Sequence, residues 1–314
     1  MSLLGRSAQF RFSGLLNEPS ACTLKAGDFQ AVFLPGHGML GASLRHKGVE
    51  ILRRIENLDA AAAGGSTAGI PLLYPWANRL NGPRYSAAGR EVNLDLSSRL
   101  LHLDANGLPM HGVPWSLLTW EVTDARKDFI AAQLDWSRDD LLAVFPFRHN
   151  LQMTAALGAD GLAIETTLAA GPDGPVPVSF GFHPYVGLAG TPRQNWRLEL
   201  PPMRKLLIDS RGIPNGSDES FPISKLELGE RGFDDGFALM NEQASFSIAG
   251  GDRRITLDFV AGYRYSQIYA PKDKDYIAIE PMTAPTSALA SGQGLRLVEP
   301  GGKFQAVFRI RIEE

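Results

Sequence analysis

Apolar and polar residues alternate along much of this chain with a period of two, the period of a β-strand that is buried on one face. The C-terminal stretch KFQAVFRIRIE shows the pattern most clearly: apolar residues stand at every second position from Phe304 to Ile312, with mostly polar residues between them. An antiparallel strand with one solvated face has this pattern. The sequence therefore predicts a half-buried antiparallel strand at its C-terminal end.

Three further stretches predict β-hairpins, because two alternating runs flank a short connection rich in turn-forming or charged residues. They are NLQMTAALGADGLAIETTL, ASFSIAGGDRRITLDFV and SLLTWEVTDARKDFIAAQLDW. Helical signals are few: RDDLLAVFP predicts a single turn ended by Pro146, and LDAAAAGGSTAG (58–69) favours either a short helix or a mobile loop that acts as a lid. With no repeat and no linker, we predict one all-β domain over residues 1–314, a large antiparallel sandwich or several stacked sheets.

Composition and charge exclude several classes of protein. The net charge is −3 with 21% charged residues, so no basic surface for nucleic acid is expected. Cys22 is the only cysteine, which rules out a disulfide within the chain and argues against a cysteine-based zinc site. No apolar run reaches transmembrane length and the first ten residues lack a signal-peptide core, so a cytoplasmic protein is expected. The histidine spacings predict no metal site, and no phosphate- or dinucleotide-binding motif is present.

Two loops rich in glycine and proline carry candidate ligand groups. GIPLLYPWANRL (69–80) ends in Asn78 and Arg79, and a guanidinium donates several hydrogen bonds to an oxygen-rich ligand. Alternatively, Arg79 is a surface residue that covers Trp76. GLPMHGVPW (107–115) places His111 in a loop beside Trp115, where it either binds a hydroxyl group or has a structural role.

Two titratable residues precede a proline at the end of an apolar strand. His183 lies in FGFHPYVG and Glu280 ends YIAIE, and proline holds the residue before it in extended geometry. A carboxylate at the end of an apolar strand is costly to bury without a partner, so Glu280 needs a hydrogen-bonding group or a raised pKa. Both residues are candidates for proton transfer.

The last candidates are an acidic pair and an amide. In RGFDDGFAL, Asp235 and Gly236 fit a hairpin turn, which turns Asp234 the opposite way and makes it the better ligand. Gln267 opens the strand before the one that carries Glu280 and can add an amide to the same pocket.

Together these segments resemble the ordered motifs of the aldose 1-epimerases (mutarotases). The matching stretches are PWANRL, MHGVPW, FGFHPYVGL, FDDGF, QIYAP and AIEPMTAPTSAL, spread over residues 69–289. The resemblance implies a large antiparallel β-supersandwich with a sugar site in a central cleft. It also implies that Glu280 is the catalytic base and His183 the catalytic acid, while the following residues hold the sugar: Asn78, Arg79, His111, Asp234 and Gln267. The best-known galactose mutarotases have an asparagine-rich run before the histidine and an aromatic-Thr-Gly-Asn run after the glutamine. This chain has SFGFHPYV and QIYAPKDK instead, so galactose itself is not implied.

The implied activity interconverts the α and β anomers of a hexose without a metal or another cofactor. A base takes the proton of the C1 hydroxyl and an acid protonates the ring oxygen, each contributing about 10²–10⁴-fold to the rate. We expect Glu280 to be ionised and His183 to be charged at rest, and Trp76 or Trp115 to stack on the sugar. The expected partner is a monosaccharide, and a monomer and a homodimer are both compatible with the sequence.

Alternatives remain open at the level of sequence. A hexose-6-phosphate 1-epimerase needs cations near C6, for which the candidates are Arg45, Arg53, Arg54 and Arg84. A sugar-binding protein without turnover has the same fold, although the presence of both His183 and Glu280 argues against it. A glycoside hydrolase typically needs two carboxylates at one bond, whereas the strongest motifs offer a carboxylate and a histidine.

Overall fold

The computed structural model describes residues 21–54 and 67–314, which consist mainly of antiparallel strands. The first strands in chain order are β1 (Cys22–Ala26), β2 (Phe29–Leu34), β3 (Leu40–His46), β4 (Val49–Glu50), β5 (Leu72–Leu73), β6 (Arg84–Ala87), β7 (Arg90–Asn93), β8 (His102–Leu103), β9 (Pro109–Met110), β10 (Glu121–Arg126), β11 (Phe129–Trp136), β12 (His149–Leu157) and β13 (Gly161–Ala170).

The remaining strands are β14 (Val176–Val178), β15 (Gly181–Phe182), β16 (Tyr185–Val186), β17 (Arg197–Leu200), β18 (Met203–Ile208), β19 (Pro214–Phe221), β20 (Ser224–Glu227), β21 (Phe233–Leu239), β22 (Ala244–Gly250), β23 (Arg253–Ala261), β24 (Tyr265–Ala270), β25 (Ile277–Met282), β26 (Arg296–Val298) and β27 (Lys303–Glu313). The helices are α1 (Asp139–Val144) and α2 (Ala288–Ser291), with 3₁₀ turns at Pro35–His37, Trp115–Leu117 and Arg193–Asn195. None of the helices in the described ranges is long and apolar enough to span a membrane.

The largest sheet has nine strands in the order β10-β11-β12-β13-β27-β23-β22-β17-β20. It contains the three predicted hairpins, β10–β11, β12–β13 and β22–β23, and all three are confirmed. The predicted C-terminal strand is β27, and its burial alternates from Phe304 to Ile312 as the pattern requires. It pairs with β13 on one side and β23 on the other, which joins two hairpins distant in sequence. The predicted turn before Pro146 is also present as α1.

A second large sheet has the order β19-β18-β21-β24-β25-β15-β5, with β16 paired to β25. The main hydrophobic core includes buried side chains from both large sheets. The ring centroids of Phe182 and Phe308 are 5.1 Å apart, and those of Phe180 and Phe304 are 6.1 Å apart. The predicted antiparallel β-supersandwich is therefore confirmed.

The opposite face of this second sheet carries polar residues, because side chains alternate between the two faces of a strand. Ile268 and Ile279 belong to the core, while Gln267 and Glu280, each next to one of them in sequence, are on the other face. Asp235 and Gly236 lie within β21, so the prediction that they form a hairpin turn is wrong. Most of the segment 58–69, predicted as a helix or a mobile lid, lies outside the described residues.

Candidate active site

A cavity of about 370 Å³ opens on the polar face of the second sheet. All seven residues predicted from the sequence line it: Asn78, Arg79, His111, His183, Asp234, Gln267 and Glu280. The structure thus brings together side chains from Asn78 to Glu280, about two hundred positions apart in the chain. Their individual roles remain predictions. Within the described ranges, no group of three or more His, Cys, Asp or Glu side chains is arranged to hold a metal ion.

Cross-strand register explains why residues from four strands meet here. Gly236 pairs with Gln267, and Gln267 with Glu280, which forms one row across β21, β24 and β25. The adjacent row contains Asp234, Tyr269, Ala278 and Tyr185. Residues directly opposite one another on neighbouring strands have adjacent side chains. A Cβ at Gly236 would lie 3.2 Å from Oε1 of Gln267, so the absence of a side chain leaves room for that amide.

His183 lies between the short strands β15 and β16, where its N–H donates to the carbonyl of Pro71 at 3.1 Å. Its imidazole stacks on the ring of Tyr185 with 4.1 Å between centroids and an interplanar angle of 17°. Its Nε2 lies 3.1 Å from Oε1 of Glu280. Glu280 lies within β25 rather than at its end, but the expected convergence of the two side chains is present.

Burial sets the electrostatics of this pair, since His183 is 5% exposed and Glu280 is 2% exposed. Desolvation, with a contribution from Asp234, raises the pKa of Glu280 well above its ordinary value. Desolvation, reinforced by His111, lowers the pKa of His183 well below its ordinary value. Both directions favour uncharged side chains. This differs from the expectation of a charged pair at rest, because desolvation is the largest cause of both pKa shifts.

The loop that ends in Asn78 and Arg79 is tied to the loop of His111. The N–H of His111 donates to the carbonyl of Asn78 at 2.8 Å, and the N–H of Asn78 donates to Nδ1 of His111 at 3.3 Å. Asn78 and His111 have φ values of 57° and 62°. Left-handed backbone is uncommon for residues other than glycine and tends to occur at functional sites.

His111 is held as a neutral hydrogen-bond donor. Burial, followed by the charges of Arg79 and His102, lowers the pKa of His111 to about 3. Because Nδ1 accepts the N–H of Asn78, the single ring proton is on Nε2. The ring therefore offers an N–H group at neutral pH.

Arg79 is oriented by a carboxylate that the sequence reasoning missed. Its Nε donates to Oδ2 of Asp104 at 2.6 Å, and its Nη1 donates to Oδ1 of Asn78 at 3.1 Å. Burial raises the pKa of Asp104, but backbone N–H groups and the Arg79 guanidinium outweigh it and bring the value below the ordinary one. Arg79 is thus part of the cavity wall, where Asp104 and Asn78 hold its guanidinium.

The two aspartates of FDDGF face opposite ways. Asp234 lines the cavity and its Oδ1 accepts a hydrogen bond from Nε2 of Gln267 at 2.8 Å. Asp235 instead pairs with Lys205 at 2.8 Å between Nζ and Oδ1. The choice of Asp234 as the cavity residue therefore agrees with the geometry, but strand alternation is the reason and not a turn.

The aromatic surface of the cavity differs from the expectation. Trp76 and Trp115 are 1% and 5% exposed and do not line the cavity, so the prediction that they stack on a sugar is wrong. Tyr185, Tyr269 and Tyr276 line it instead. Two of these tyrosines had a signal in the sequence, because each lies two positions after a predicted site residue and therefore on the same face of an extended chain.

The other wall residues that the predictions did not include are Arg53, Thr67, His102 and Met110. The sequence predicts a role for Arg53 only as a cation for a phosphorylated sugar. Its guanidinium lies 4.6 Å from the ring centroid of Tyr276, and Nη1 donates to the carbonyl of Thr67 at 3.2 Å. No pattern in the sequence around these positions indicates that they reach the cleft.

Comparison with known proteins agrees with this architecture. The family model of aldose 1-epimerase matches residues 20–311. The chain is 24% identical over 310 residues to the Escherichia coli (strain K12) protein YihR, described as uncharacterized, and the match covers 92% of each chain.

Solved structures show the same fold. A galactose mutarotase-like protein from Clostridium acetobutylicum superposes with a TM-score of 0.80 at 21% identity, covering 93% of this chain and 94% of the other. Galactose 1-epimerase from Lactobacillus acidophilus NCFM superposes with a TM-score of 0.74 at 15% identity, covering 93% of each chain. The family match spans nearly the whole chain, and the protein therefore belongs to the aldose 1-epimerase family.

Proposed function

We propose that this protein is an aldose 1-epimerase that interconverts the α and β anomers of a hexose by acid–base ring opening. The observation that carries the proposal is the 3.1 Å contact between Nε2 of His183 and Oε1 of Glu280 in the cavity. The two oxygens of a hemiacetal are bonded to the same carbon. A base and an acid that act on them must therefore lie side by side, as these two groups do.

Glu280 and His183 can accept and donate the two protons that move in the reaction. Glu280 takes the proton of the C1 hydroxyl while His183 gives the proton of Nε2 to the ring oxygen O5. The C1–O5 bond breaks, C1 becomes an aldehyde carbon and O5 becomes a hydroxyl. After rotation about C1–C2, the same transfers in reverse close the ring on the other face. General acid–base catalysis of this kind contributes about 10²–10⁴-fold for each group.

The uncharged pair at rest is compatible with this scheme. A protonated Glu280 and a neutral His183 together hold one proton, as do a carboxylate and an imidazolium. Moving the proton along the 3.1 Å contact converts the first arrangement into the second. A bound sugar brings hydroxyl groups that donate to the carboxylate, and hydrogen bonds to a charged form favour that form.

The remaining wall residues suit the hydroxyl groups of a sugar. The carboxylate of Asp234 and the amide of Gln267 accept and donate, the Arg79 guanidinium donates, and the neutral ring of His111 offers Nε2–H. Tyr269 and Tyr276 add aromatic rings and hydroxyl groups to the cavity wall. These contacts orient the ring so that C1 meets the acid–base pair.

The test is polarimetry of α-glucose and α-galactose with the Glu280→Gln variant, which keeps the shape of the side chain and removes the base. We expect kcat to fall by about 10²–10⁴-fold. Glu227→Gln is the matched control, because Glu227 is exposed on β20. Near-normal mutarotation by Glu280→Gln would rule out the base assignment. Absence of mutarotation by the wild-type protein on a panel of free hexoses would rule out the proposed activity on neutral sugars.

A hexose-6-phosphate is the second candidate substrate, and the position of Arg53 favours it. Of the four arginines considered, Arg53 lines the cavity, whereas Arg45 and Arg54 lie 3.4 Å and 4.0 Å from Glu50 and Arg84 is on β6. Comparing kcat/KM for glucose and glucose 6-phosphate separates the two substrates. If phosphate is recognised, Arg53→Gln lowers kcat/KM for the phosphorylated sugar alone, whereas an equal loss on both sugars counts against phosphate recognition.

A further inference from the structure

The hydroxyl group of Tyr185 lies within hydrogen-bonding distance of the acid–base pair and has no role in the scheme above. Its oxygen is 3.2 Å from Nε2 of His183, the atom that also contacts Glu280. On its other side the same hydroxyl hydrogen-bonds to the hydroxyl of Thr67. A chain of hydrogen bonds therefore runs from Thr67 through Tyr185 to His183, whose Nε2 also lies 3.1 Å from Oε1 of Glu280.

Two further contacts hold Tyr185 in place. Its ring stacks on the imidazole of His183 with 4.1 Å between centroids, and the guanidinium of Arg53 lies 5.5 Å from its centroid on the cleft wall. Burial is the main reason why the pKa of Tyr185 is raised, so the hydroxyl keeps its proton at physiological pH. A tyrosine hydroxyl donates one hydrogen bond and also accepts, so its single proton can point towards only one of its two neighbours.

We propose that Tyr185 is a positioning residue whose hydroxyl turns between Thr67 and Nε2 of His183 as that nitrogen gains and loses its proton. This inference rests on the proposed epimerase function. When Nε2 carries a proton, Tyr185 donates to Thr67 and presents its oxygen to the N–H group. After the proton has passed to O5, the hydroxyl turns and donates to the bare nitrogen.

The arrangement matters because Nε2 reverses its hydrogen-bonding character twice in each cycle. A partner that can only accept stabilises one of the two states and penalises the other. A hydroxyl that reorients stabilises both, provided that its proton has an acceptor when it turns away. Thr67 is that acceptor, and the stacked ring keeps the imidazole plane fixed throughout.

The test is a double-mutant cycle with steady-state polarimetry, using Tyr185→Phe, Thr67→Val and the double variant. Tyr185→Phe keeps the stacked ring and removes the hydroxyl, so kcat is expected to fall about tenfold with KM changed less than about twofold. Thr67→Val is expected to give a smaller fall, and Thr67→Ser is expected to recover the rate that Thr67→Val loses. The double variant is expected to match Tyr185→Phe, because Thr67 acts through Tyr185.

A spectroscopic measurement does not depend on turnover. In protein labelled with ¹⁵N-histidine, the Nε2 signal of His183, assigned by its loss in His183→Asn, is expected to move in both Tyr185→Phe and Thr67→Val. Tyr85→Phe is the control, because its buried hydroxyl donates to the carbonyl of Val144 away from the cleft.

Additive effects of the two substitutions on kcat, or an unchanged Nε2 signal in both variants, overturn the proposal. An unchanged kcat in Tyr185→Phe also overturns it. If the wild-type protein has no mutarotase activity, the proposed function fails, and the ¹⁵N signal still decides whether the hydrogen-bond chain sets the state of His183.

Discussion

The buried pair of Glu280 and His183 predicts a specific pH dependence of stability. Both side chains are almost inaccessible to solvent, and both pKa values move in the direction that favours the neutral form. Replacing Glu280 by glutamine removes one titrating group while keeping its volume and its contact with the imidazole. The stability of the variant should therefore depend on pH differently from that of the wild type.

The sign follows from counting the protons bound to the pair in each state. In the unfolded chain Glu280 loses its proton near its ordinary pKa of 4.5 and His183 near 6.5. In the folded protein the raised and lowered pKa values keep one proton on the pair across neutral pH. Between pH 4.5 and pH 6.5 the pair holds one proton in both the folded and the unfolded state, so it contributes no pH dependence to the free energy of unfolding.

Above about pH 6.5 the unfolded pair has lost both protons while the folded pair keeps one. Stability then falls with rising pH by up to about 1.4 kcal/mol per unit, until Glu280 ionises in the folded state. In Glu280→Gln only His183 remains, and its depressed pKa makes stability rise up to about pH 6.5 and level off above it. The difference between the two proteins therefore grows in favour of the variant by up to about 1.4 kcal/mol per pH unit.

Urea unfolding of both proteins at about pH 5.5, 7.0 and 8.5 measures this difference in the free energy of unfolding. Because the two proteins share all their other titrating groups, pH effects elsewhere in the molecule cancel when one value is subtracted from the other. The Glu227→Gln control, on the exposed side of β20, should differ from wild type by the same small amount at each pH. Parallel pH profiles for the wild type and Glu280→Gln would refute the reasoning, because they would mean that Glu280 has the same pKa in the folded and unfolded states.

Two other variants test the support of the cavity. Asp104→Asn weakens the 2.6 Å contact that orients Arg79, so KM should rise about five- to tenfold with a smaller change in kcat; an unchanged KM in polarimetry would contradict a binding role for Arg79. Gly112→Ala places a Cβ 2.2 Å from the carbonyl oxygen of Tyr74 at a φ of 68°, so urea unfolding should show a loss of about 2–4 kcal/mol in the free energy of unfolding. Gly89→Ala, whose Cβ meets open space at a φ of 75°, should lose less. Equal losses in the two variants would show that the close approach of Gly112 to Tyr74 is unimportant.

The local elements of the fold could be predicted because their signal is local. The hairpin of β12 and β13 has alternating apolar residues on both sides of a glycine-rich turn. The residues predicted to face the core, among them Leu151, Met153 and Ile164, are buried as expected. Pairings between distant strands, such as β13 with β27, have no such signal. Many strands with the same alternation compete for the same neighbours, and only the packing of the whole chain selects among them.

The polar residues of the site could be predicted for a related reason. His183 and Glu280 each precede a proline after an apolar run, and Asn78 follows a proline-rich apolar run. A polar side chain in such an apolar context needs a partner. The prediction that Trp76 or Trp115 stacks on a sugar failed because an aromatic residue in a loop can lie in the hydrophobic core or line a cleft, and its local sequence is compatible with both. Whether such a ring is buried depends on what other segments cover it.

The sequence by itself determined the class of the fold, the position of the hairpins, and the small set of polar side chains worth considering. Only the tertiary structure decided which tyrosines face the cavity, that Asp104 holds Arg79, and that burial favours the neutral forms of His183 and Glu280. The physical reason is that the alternation of apolar and polar residues indicates only which face of its own strand each side chain lies on. Desolvation and hydrogen bonding depend on atoms that the rest of the chain brings to the same place.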